Sequence, residues 1–471
     1  MKKYVKCNKK QCLILLAAAI FLSLPLCTDF VNAGDDLAAS LSRIRMTGEQ
    51  MFSYFPLRIL PLSKTIYGYS ASVFLSNVFY FFPGLLYRIG INLQSTYKIT
   101  IFLMNVMTAA VTYFSFRKML EDQDAGMAAS FLYLTCPCRV YSIYGSGNLN
   151  EVFALAFLPL ALWGTYRLFM QKKYEGTTAI LTIGYSMVLL AWPVYFLGAM
   201  LVFGLFFLIT LRSNLKKAVF CVIGRFILCL IALNAWYVFP LIRCMMDVSM
   251  VSVLLTEHVR EYAVYLSQYV KIFEFGGGEQ NVWQNCLSSA TPVGPGPITV
   301  FLTVFYLCHS FITEKRSKQV DAVLLMAGII MLLSSNLFPW DLLQNKNMLF
   351  SNLLAMVQTP AKLAIHADLL LIVAAGIVLL QLKKITGRMV CLLNFLTVQF
   401  QVGRLLTVRE FLRDEQITEV SLIGYGVMEK ESILWRISEG ITLFSVIVII
   451  LYLLLTMKKK KLTIQGRNNE R

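Results

Sequence analysis

Stretches of about 20 apolar residues recur along this chain, and they restrict its fold more than any other feature. A helix needs about that many mainly apolar residues to cross a bilayer. Such stretches lie at 12–32, 70–90, 98–116, 124–138, 150–168, 177–192, 194–211, 217–240, 297–313, 321–339, 362–382, 387–405 and 437–457. Only 15% of the residues are charged, against about 25% in soluble globular proteins. The sequence therefore predicts an all-α, polytopic transmembrane protein with about 12–13 membrane segments.

The positive charge of the chain lies in clusters between the apolar stretches. A formal net charge of +17 would suggest a nucleic-acid partner in a soluble protein. In a membrane protein, cytoplasmic loops carry an excess of Lys and Arg, so the charge indicates topology and we predict no nucleic-acid partner. The clusters assigned to the cytoplasm are Lys2, Lys3, Lys9 and Lys10; Arg117-Lys118; Arg167 with Lys172-Lys173; Arg212 with Lys216-Lys217; Lys315-Arg316 with Lys318; Lys383-Lys384 with Arg388; and the lysines at 458–461.

The remaining polar segments then fall on the outer side of the membrane. They are 33–69, 139–149, 241–296, 340–361 and 406–436. The alternation of sides fails only within 70–116, where two full crossings would carry Arg117-Lys118 outside. We therefore expect 70–90, which is broken by Pro83-Gly84, to be re-entrant or partly spanning. Both termini are then cytoplasmic.

The chain divides into three parts on this topology. Residues 1–405 form the transmembrane domain, with a first outer loop at 33–69 and a large outer loop at 241–296. Residues 406–436 form a short outer segment, and 437–471 form the last transmembrane helix and a basic tail. The first apolar stretch is either an uncleaved anchor, which we favour, or a signal peptide cleaved after Val31-Asn32-Ala33.

Several classes of chemistry are disfavoured by what the sequence lacks. There is no Gly-x-x-x-x-Gly-Lys-Ser/Thr motif, so an ATP-driven pump is not supported. Cys136-Pro137-Cys138 has no second ligand pair, and the three histidines are scattered, so no zinc site is predicted. The longest polar segments all face outward, and we therefore expect any chemistry at the outer membrane face, on a lipid-embedded or exported substrate.

The first outer loop begins with two adjacent carboxylates, Asp35 and Asp36. Acidic residues at a membrane surface are costly unless they are solvated, paired or bound to a metal. Either residue could act as a general base toward an acceptor hydroxyl, or help to hold a divalent cation, Mg²⁺ or Mn²⁺, on a diphosphate. The alternative is an ordinary polar start to a loop. Arg43, Arg58 and Tyr69 follow in the same loop as candidate substrate-binding residues.

A second polar group lies in the short connector between two apolar stretches. Two glycines, Gly145 and Gly147, relax the backbone so that Arg139 and Glu151 could converge on one ligand, with Asn148 between them. Glu151 begins the next helix, where a carboxylate also suits the positive end of the helix dipole. The sequence leaves a functional role and a capping role for Glu151 equally open.

Two further cations lie in the later outer segments. Arg260 follows Glu257-His258-Val259 in a tyrosine-rich stretch, which is either an amphipathic helix on the membrane surface or a lid that faces a sugar or phosphate. Lys362 lies at the start of the helix that carries His366 and Asp368. It is either a functional cation or a lysine that extends to the membrane boundary.

Taken in order, several motifs resemble those of the bacterial YfhO-type and 6-pyruvoyl-tetrahydropterin synthase-related membrane proteins, which belong with the GT-C glycosyltransferases. The most specific match is Leu134-Thr135-Cys136-Pro137-Cys138-Arg139 followed by Tyr144-Gly145-Ser146-Gly147-Asn148-Leu149-Asn150-Glu151. Other matches are Phe55-Pro56-Leu57-Arg58-Ile59-Leu60-Pro61, Tyr67-Gly68-Tyr69 and Gln358-Thr359-Pro360-Ala361-Lys362. The resemblance covers most of residues 1–385.

The chain departs from the family pattern at several polar positions. Both histidines of the family's first loop are absent, and Ser40 stands where the second one falls. The signature arginine is Ser146, and the late arginine is Lys362, which keeps a point charge but loses the bidentate fork for phosphate. Activity could be altered by these changes, and a catalytically degenerate member is an open alternative.

The resemblance implies a GT-C-like fold in the bacterial plasma membrane and transfer of a sugar from a polyprenyl-phosphate donor to a cell-envelope glycan or lipid. Asp36 would be the base, with Asp35 its weaker neighbour. Arg58, Arg139 and Lys362 would hold the donor phosphate, and Glu151 would position the acceptor or the Arg139 side chain. The rival hypotheses are a lipid or polysaccharide transporter, and a scaffold for envelope assembly.

Overall fold

The fold is an assembly of apolar helices, as the sequence predicts. A computed structural model of the 471-residue chain describes residues 9–32, 34, 36–52, 59–62, 75–245, 259–269, 293–313, 316–344, 360–381, 390–391, 411–413, 424–427 and 437–451. The helices in these ranges are α1 Lys9–Leu22, α2 Leu37–Gln50, α3 Phe81–Arg88, α4 Leu93–Leu120, α5 Gln123–Leu134, α6 Pro137–Tyr141, α7 Leu149–Phe169, α8 Thr177–Ala191, α9 Pro193–Ile209, α10 Leu211–Asn214, α11 Lys217–Met245, α12 Pro297–Thr313, α13 Lys318–Ser334, α14 Trp340–Gln344, α15 Ala364–Gln381 and α16 Ile437–Leu451.

Length and composition separate these helices into two groups. Within the described ranges, four helical stretches are long and apolar enough to cross a membrane: Leu93–Leu120, Leu149–Phe169, Lys217–Ile242 and Pro360–Gln381. Five more apolar helices are shorter, at 10–17 residues: Lys10–Leu22, Thr177–Ala191, Pro193–Ile209, Pro297–Thr313 and Ile437–Leu451. The prediction of a polytopic all-α membrane protein is confirmed. Most of the predicted segment 387–405 lies outside the described residues.

Local sequence explains where several helices begin. Asn92 caps the N-terminus of α4, because its side chain accepts a hydrogen bond from the backbone N–H of Ser95 at 2.9 Å. The neighbouring apolar stretches predicted at 177–192 and 194–211 also form two separate helices. Trp192 has an extended backbone that ends α8, and Pro193 is the first residue of α9, where its missing N–H costs nothing.

Contacts between α1 and α4 decide how the chain passes through 70–116. Lys98, near the start of α4, donates to the carbonyl of Thr28, while Tyr113, near its end, donates to Gln11 of α1. The two helices are therefore antiparallel, and the chain passes once through the bundle between Gln11 and Thr28 and once again within α4. With eight residues, α3 is about 12 Å long, which is too short to cross a bilayer. In the described part of the stretch, residues 75–90, there is thus no helix long enough for the full crossing that the expectation excludes.

Two helices lie at the centre of the bundle. The most apolar stretch of α7 is 83% buried, and that of Pro360–Gln381 is 89% buried, against 33% for Lys217–Ile242. α7 packs against α4 and α8, whereas α15 packs against α5, α12 and α13. The residues at the starts of the two central helices are therefore enclosed by several neighbouring elements.

Short strands join parts of the chain that are far apart in sequence. Strand β1 (Phe30–Asn32) pairs antiparallel with β3 (Phe411–Arg413), and β2 (Ile59–Leu62) pairs antiparallel with β4 (Gly424–Val427). The described residues 411–413 and 424–427 thus lie beside residues 30–32 and 59–62. Neither pairing was predicted, because strands of three or four residues carry no usable period.

Close packing of α2 on α3 gives a first testable prediction. A Cβ atom at Gly48 would meet the carbonyl oxygen of Gly84 at 2.7 Å, so Gly48→Ala should force the two helices apart. We expect a loss of about 1–3 kcal/mol, measured as a lower unfolding midpoint of the detergent-solubilised protein. Gly204→Ala in α9 is the matched control, since no atom lies within 4 Å of a Cβ there. Equal effects of the two variants would contradict this packing.

Candidate functional site

Asp36 lies where the start of α2 meets the connector that leads into α7. Its Oδ2 accepts hydrogen bonds from Asn148 Nδ2 at 3.0 Å and from Ser146 Oγ at 3.2 Å. Its backbone N–H donates to the carbonyl of Ser146 at 3.0 Å. The side chain is partly exposed. The carboxylate is thus held in a fixed position, near the N-terminal ends of two helices, while it stays accessible.

The connector is shaped by Gly147 and Ser40. Gly147 has a φ of +72°, a left-handed conformation that favours glycine, and a Cβ there would meet Leu37 at 3.0 Å. Ser40 Oγ donates to the carbonyl of Gly147 at 2.9 Å and accepts from the N–H of Leu149 at 3.1 Å. Ser40 therefore joins α2 to the start of α7.

Asn148 provides the cap of α7, which answers the question left open for Glu151. Asn148 Oδ1 accepts from the backbone N–H groups of Asn150 at 3.0 Å and Glu151 at 3.4 Å. The Glu151 carboxylate points elsewhere. Asn148, predicted to bind substrate, thus caps the helix with its oxygen and holds Asp36 with its nitrogen.

Glu151 forms an ion pair with Lys362 at the junction of the two central helices. Glu151 is 2% exposed, and its Oε1 accepts from Lys362 Nζ and from the hydroxyl of Tyr195, the latter at 2.7 Å. Its Oε2 is buried and has no hydrogen-bond partner among the described residues. Lys362 is 28% exposed at its side chain, and its Nζ lies 5.2 Å from the centroid of the Trp192 ring. Lys362 is therefore not simply a lysine that extends to the membrane boundary.

Asp36 and the Glu151–Lys362 pair meet at the start of α7. Glu151 is in direct contact with the ammonium group, and Asp36 is linked to the same helix start through Asn148, which hydrogen-bonds to both Asp36 and the backbone N–H of Glu151. Of the candidate residues named from the sequence, the structure brings together Asp36, Asn148, Glu151 and Lys362. Trp192 and Tyr195 join them and were not identified as site residues. The one sequence feature that could have indicated Trp192 and Tyr195 is the proline at 193, which separates the apolar stretches 177–192 and 194–211.

Arg139 lies inside the bundle and does not converge with Glu151. It is 1% exposed, and its guanidinium donates to the carbonyl of Leu134 at 2.9 Å and to Asn105 Oδ1 at 2.6 Å. Burial lowers the pKa of this guanidinium from its ordinary value. Asn105 in turn donates to Ser23 Oγ at 3.0 Å, which connects α4 to the end of α1. Arg139 thus supports the bundle, and its surroundings do not favour the predicted contact with a phosphate.

Arg43 is also enclosed by protein. It is 4% exposed and donates to Asn150 Oδ1 at 2.8 Å, Asn77 Oδ1 at 2.6 Å, and the carbonyls of Leu75 at 2.8 Å and Ser76 at 3.1 Å. Its Cζ lies 4.2 Å from the centroid of the Tyr80 ring. The guanidinium therefore braces α2 against the residues before α3 and the start of α7, and it is not presented to a ligand.

The other predicted site residues lie elsewhere. Arg260 is exposed, donates to the carbonyl of Asn336 at 3.2 Å and lies 3.6 Å from Asp341. It belongs to a short 3₁₀ turn, Val259–Tyr262, and the structure does not bring it to Asp36. Asp35, Arg58 and Tyr69 lie outside the described residues, as does most of the large outer loop.

No metal centre is evident in the part of the chain that the structure describes. No group of three or more His, Cys, Asp or Glu side chains is placed there to hold an ion. Asp36 is the described member of the Asp35-Asp36 pair that would bind Mg²⁺ or Mn²⁺, and the divalent cation stays a prediction.

Comparisons with known proteins give little beyond this geometry. No family model matches the chain, and no curated protein matches it. Among solved structures, the chain matches the cryo-EM structure of the arabinofuranosyltransferase AftD from mycobacteria, with 13% sequence identity and a TM-score of 0.42. The match covers 86% of this chain and 28% of that one. A similarity of this size assigns neither an activity nor a substrate.

Proposed function

We propose that the protein is a membrane glycosyltransferase that transfers a sugar from a polyprenyl-phosphate donor to a cell-envelope glycan or lipid. The observation that carries the proposal is that the partly exposed Asp36 carboxylate and the Glu151–Lys362 pair meet at the start of α7, where Asn148 hydrogen-bonds to both Asp36 and the backbone N–H of Glu151. A carboxylate and a cation are the two charges that such a transfer needs. The proposal also rests on the motifs that resemble GT-C proteins.

Asp36 would act as the general base in this reaction. Its carboxylate takes the proton of an acceptor hydroxyl while that oxygen forms a bond to the anomeric carbon of the donor sugar. The bond between the anomeric carbon and the phosphate oxygen breaks, and its electron pair stays on the lipid phosphate. Hydrogen bonds from Asn148 and Ser146 keep the carboxylate in place.

Lys362 would stabilise the leaving phosphate. The Lys362 side chain is 28% exposed, whereas the guanidinium groups of Arg43 and Arg139 are buried and donate to protein acceptors. A cation fixed near the developing charge acts most strongly in a site with little water. We therefore propose that Lys362 contacts the donor phosphate, and that Arg43 and Arg139 stabilise the packing of the helices.

An apolar cavity beside the site is consistent with a lipid-linked substrate. It has a volume of about 190 Å³ and lies between α8, α9 and α11. Pro193, which follows Trp192 directly, is one of its lining residues, together with Leu189, Phe196, Leu197, Leu230, Ile231, Val238 and Leu241. One side of the Trp192-Pro193 turn thus faces apolar space, and the other side contacts the Lys362 ammonium.

The orientation of the protein is part of the same proposal. We place the site at the outer face of the bacterial plasma membrane, with both termini in the cytoplasm. This orientation puts the basic clusters in the cytoplasm, where loops of membrane proteins carry an excess of Lys and Arg. The donor would be embedded in the outer leaflet, and the acceptor would approach from outside. The domain boundaries predicted from the sequence belong to the proposal as well.

A transporter is the second candidate, and one observation favours it. Asp368 is fully buried within the spanning stretch Pro360–Gln381, and its Oδ1 has no hydrogen-bond partner among the described residues. Ionisable side chains inside a membrane are often part of ion or proton pathways. The other carboxylate oxygen of Asp368, Oδ2, accepts only a weak hydrogen bond, from Cys136 Sγ at 3.9 Å.

Comparison of a deletion strain with its parent tests the proposed function. We expect the deletion to remove a sugar from an envelope glycan or lipid and to raise the level of the lipid-linked donor, measured by mass spectrometry of both pools. Complementation with the wild-type gene should restore both. Loss of a transporter would instead leave a finished glycan or lipid on the wrong side of the membrane without loss of the sugar. Unchanged pools with the product on its normal side would oppose both enzyme and transporter and favour a scaffold.

A further inference from the structure

A phosphate ligand has to compete with Glu151 for the Lys362 ammonium group. Lys362 Nζ is bonded to Glu151 Oε1, so a phosphate that attracts the ammonium draws it away from a buried carboxylate. Removing one partner from a buried ion pair is costly, because the remaining charge is left without compensation. A lipid phosphate is a monoester that is mainly the dianion at neutral pH, so its phosphate supplies acceptor oxygens and offers little to Glu151.

The surroundings of Glu151 provide few donors that could replace Lys362. Tyr195 is its second donor and reaches the same oxygen, Oε1, at 2.7 Å. Oε2 is buried and has no partner among the described residues even while Lys362 is bound. If Lys362 moves to a phosphate, one donor remains for a carboxylate that can accept several hydrogen bonds.

We propose that Glu151 is a specificity-determining residue that disfavours a lipid phosphate without a sugar. A glycosyl phosphate brings hydroxyl donors together with the phosphate, so the hydroxyls can pair with Glu151 while the phosphate takes Lys362. The bare lipid phosphate left after transfer lacks those donors, and Lys362 returns to Glu151. The inference rests on the proposed function and adds discrimination between donor and product.

Phosphate affinity of a Glu151→Gln variant tests the proposal. The full-length protein is reconstituted in nanodiscs and titrated with undecaprenyl phosphate and, separately, with inorganic phosphate. Glutamine no longer holds the ammonium as an ion pair, so we expect undecaprenyl phosphate to bind about tenfold more tightly than to the wild type. Tightening toward both probes assigns the effect to the phosphate group, and tightening toward undecaprenyl phosphate alone assigns it to the lipid-linked form. Unchanged or weaker binding of undecaprenyl phosphate would overturn the proposal.

Two further variants show whether the effect passes through Lys362. In a Lys362→Met background, Glu151→Gln should no longer tighten binding, and an equal gain there would contradict the proposed competition. Tyr195→Phe removes the other donor to Glu151 Oε1 and should hold Lys362 more firmly, so we expect several-fold weaker binding of undecaprenyl phosphate. This second variant keeps the test decisive if Glu151→Gln does not fold.

Failure of this inference is separable from failure of the proposed function. Phosphate affinity is measured without any transfer, whereas the function is tested by envelope glycans in the deletion strain. Unchanged glycans with tighter binding to Glu151→Gln would refute the transferase and keep the competition for Lys362. Changed glycans with unaltered phosphate affinity would support the transferase and refute the competition for Lys362.

Discussion

Replacing Asp36 by asparagine is expected to lower sugar transfer by about 10²–10⁴-fold while the protein still folds. Asparagine has almost the same shape as aspartate, and its carbonyl oxygen can accept the hydrogen bonds that Asn148 Nδ2 and Ser146 Oγ donate. The substitution thus removes the basic carboxylate and leaves its position unchanged. The measurement is the amount of sugar added to the envelope glycan or lipid when the variant replaces the wild-type gene, at matched expression.

Glu49→Gln is the matched control for this prediction. Glu49 lies on the same helix, α2, and its carboxylate is exposed and pairs with Arg45 at 2.9 Å. Loss of a solvated surface ion pair should leave both transfer and stability near wild-type values. Normal glycosylation by the Asp36→Asn variant would remove Asp36 from the mechanism, and a scaffold or transporter role would then be favoured.

Replacing Arg43 by alanine is expected to destabilise the protein by at least about 3 kcal/mol. The change empties the space beneath the Tyr80 ring and withdraws the donors that Asn150, Leu75 and Ser76 receive from the guanidinium. Buried acceptors that lose their donor carry the full cost of desolvation. The unfolding midpoint of the purified protein, together with its yield in the membrane, measures the effect.

A neighbouring arginine supplies the comparison. Arg45→Ala changes the same residue type two positions away, but the Arg45 side chain is 47% exposed and contacts only Glu49 among the described ion pairs. We expect its stability to stay within about 0.5 kcal/mol of the wild type. If Arg43→Ala is as stable as Arg45→Ala, the guanidinium does not brace the bundle, and a substrate-binding role for Arg43 becomes the better interpretation.

These two predictions separate residues that the sequence could not separate. Asp36, Arg43 and Arg139 are all polar residues near the ends of apolar stretches, and each was a plausible contact for a ligand. Burial and partners divide them, because the carboxylate stays partly exposed whereas both guanidinium groups are enclosed. Exposure depends on elements distant in sequence, such as Asn105 for Arg139, and no local pattern reports it.

The sequence by itself determined the membrane class and the predominance of helices, and it predicted the incomplete crossing at 70–90. Each follows from the length of an apolar run or from the side on which basic residues accumulate, and both are local properties of the chain. Only the tertiary structure decided that Glu151 pairs with Lys362, since 211 residues separate the two positions. The pairing arises because α7 and the helix that follows Lys362 are both central and start at the same end of the bundle, and a buried carboxylate there requires a cation that only the packed fold can supply.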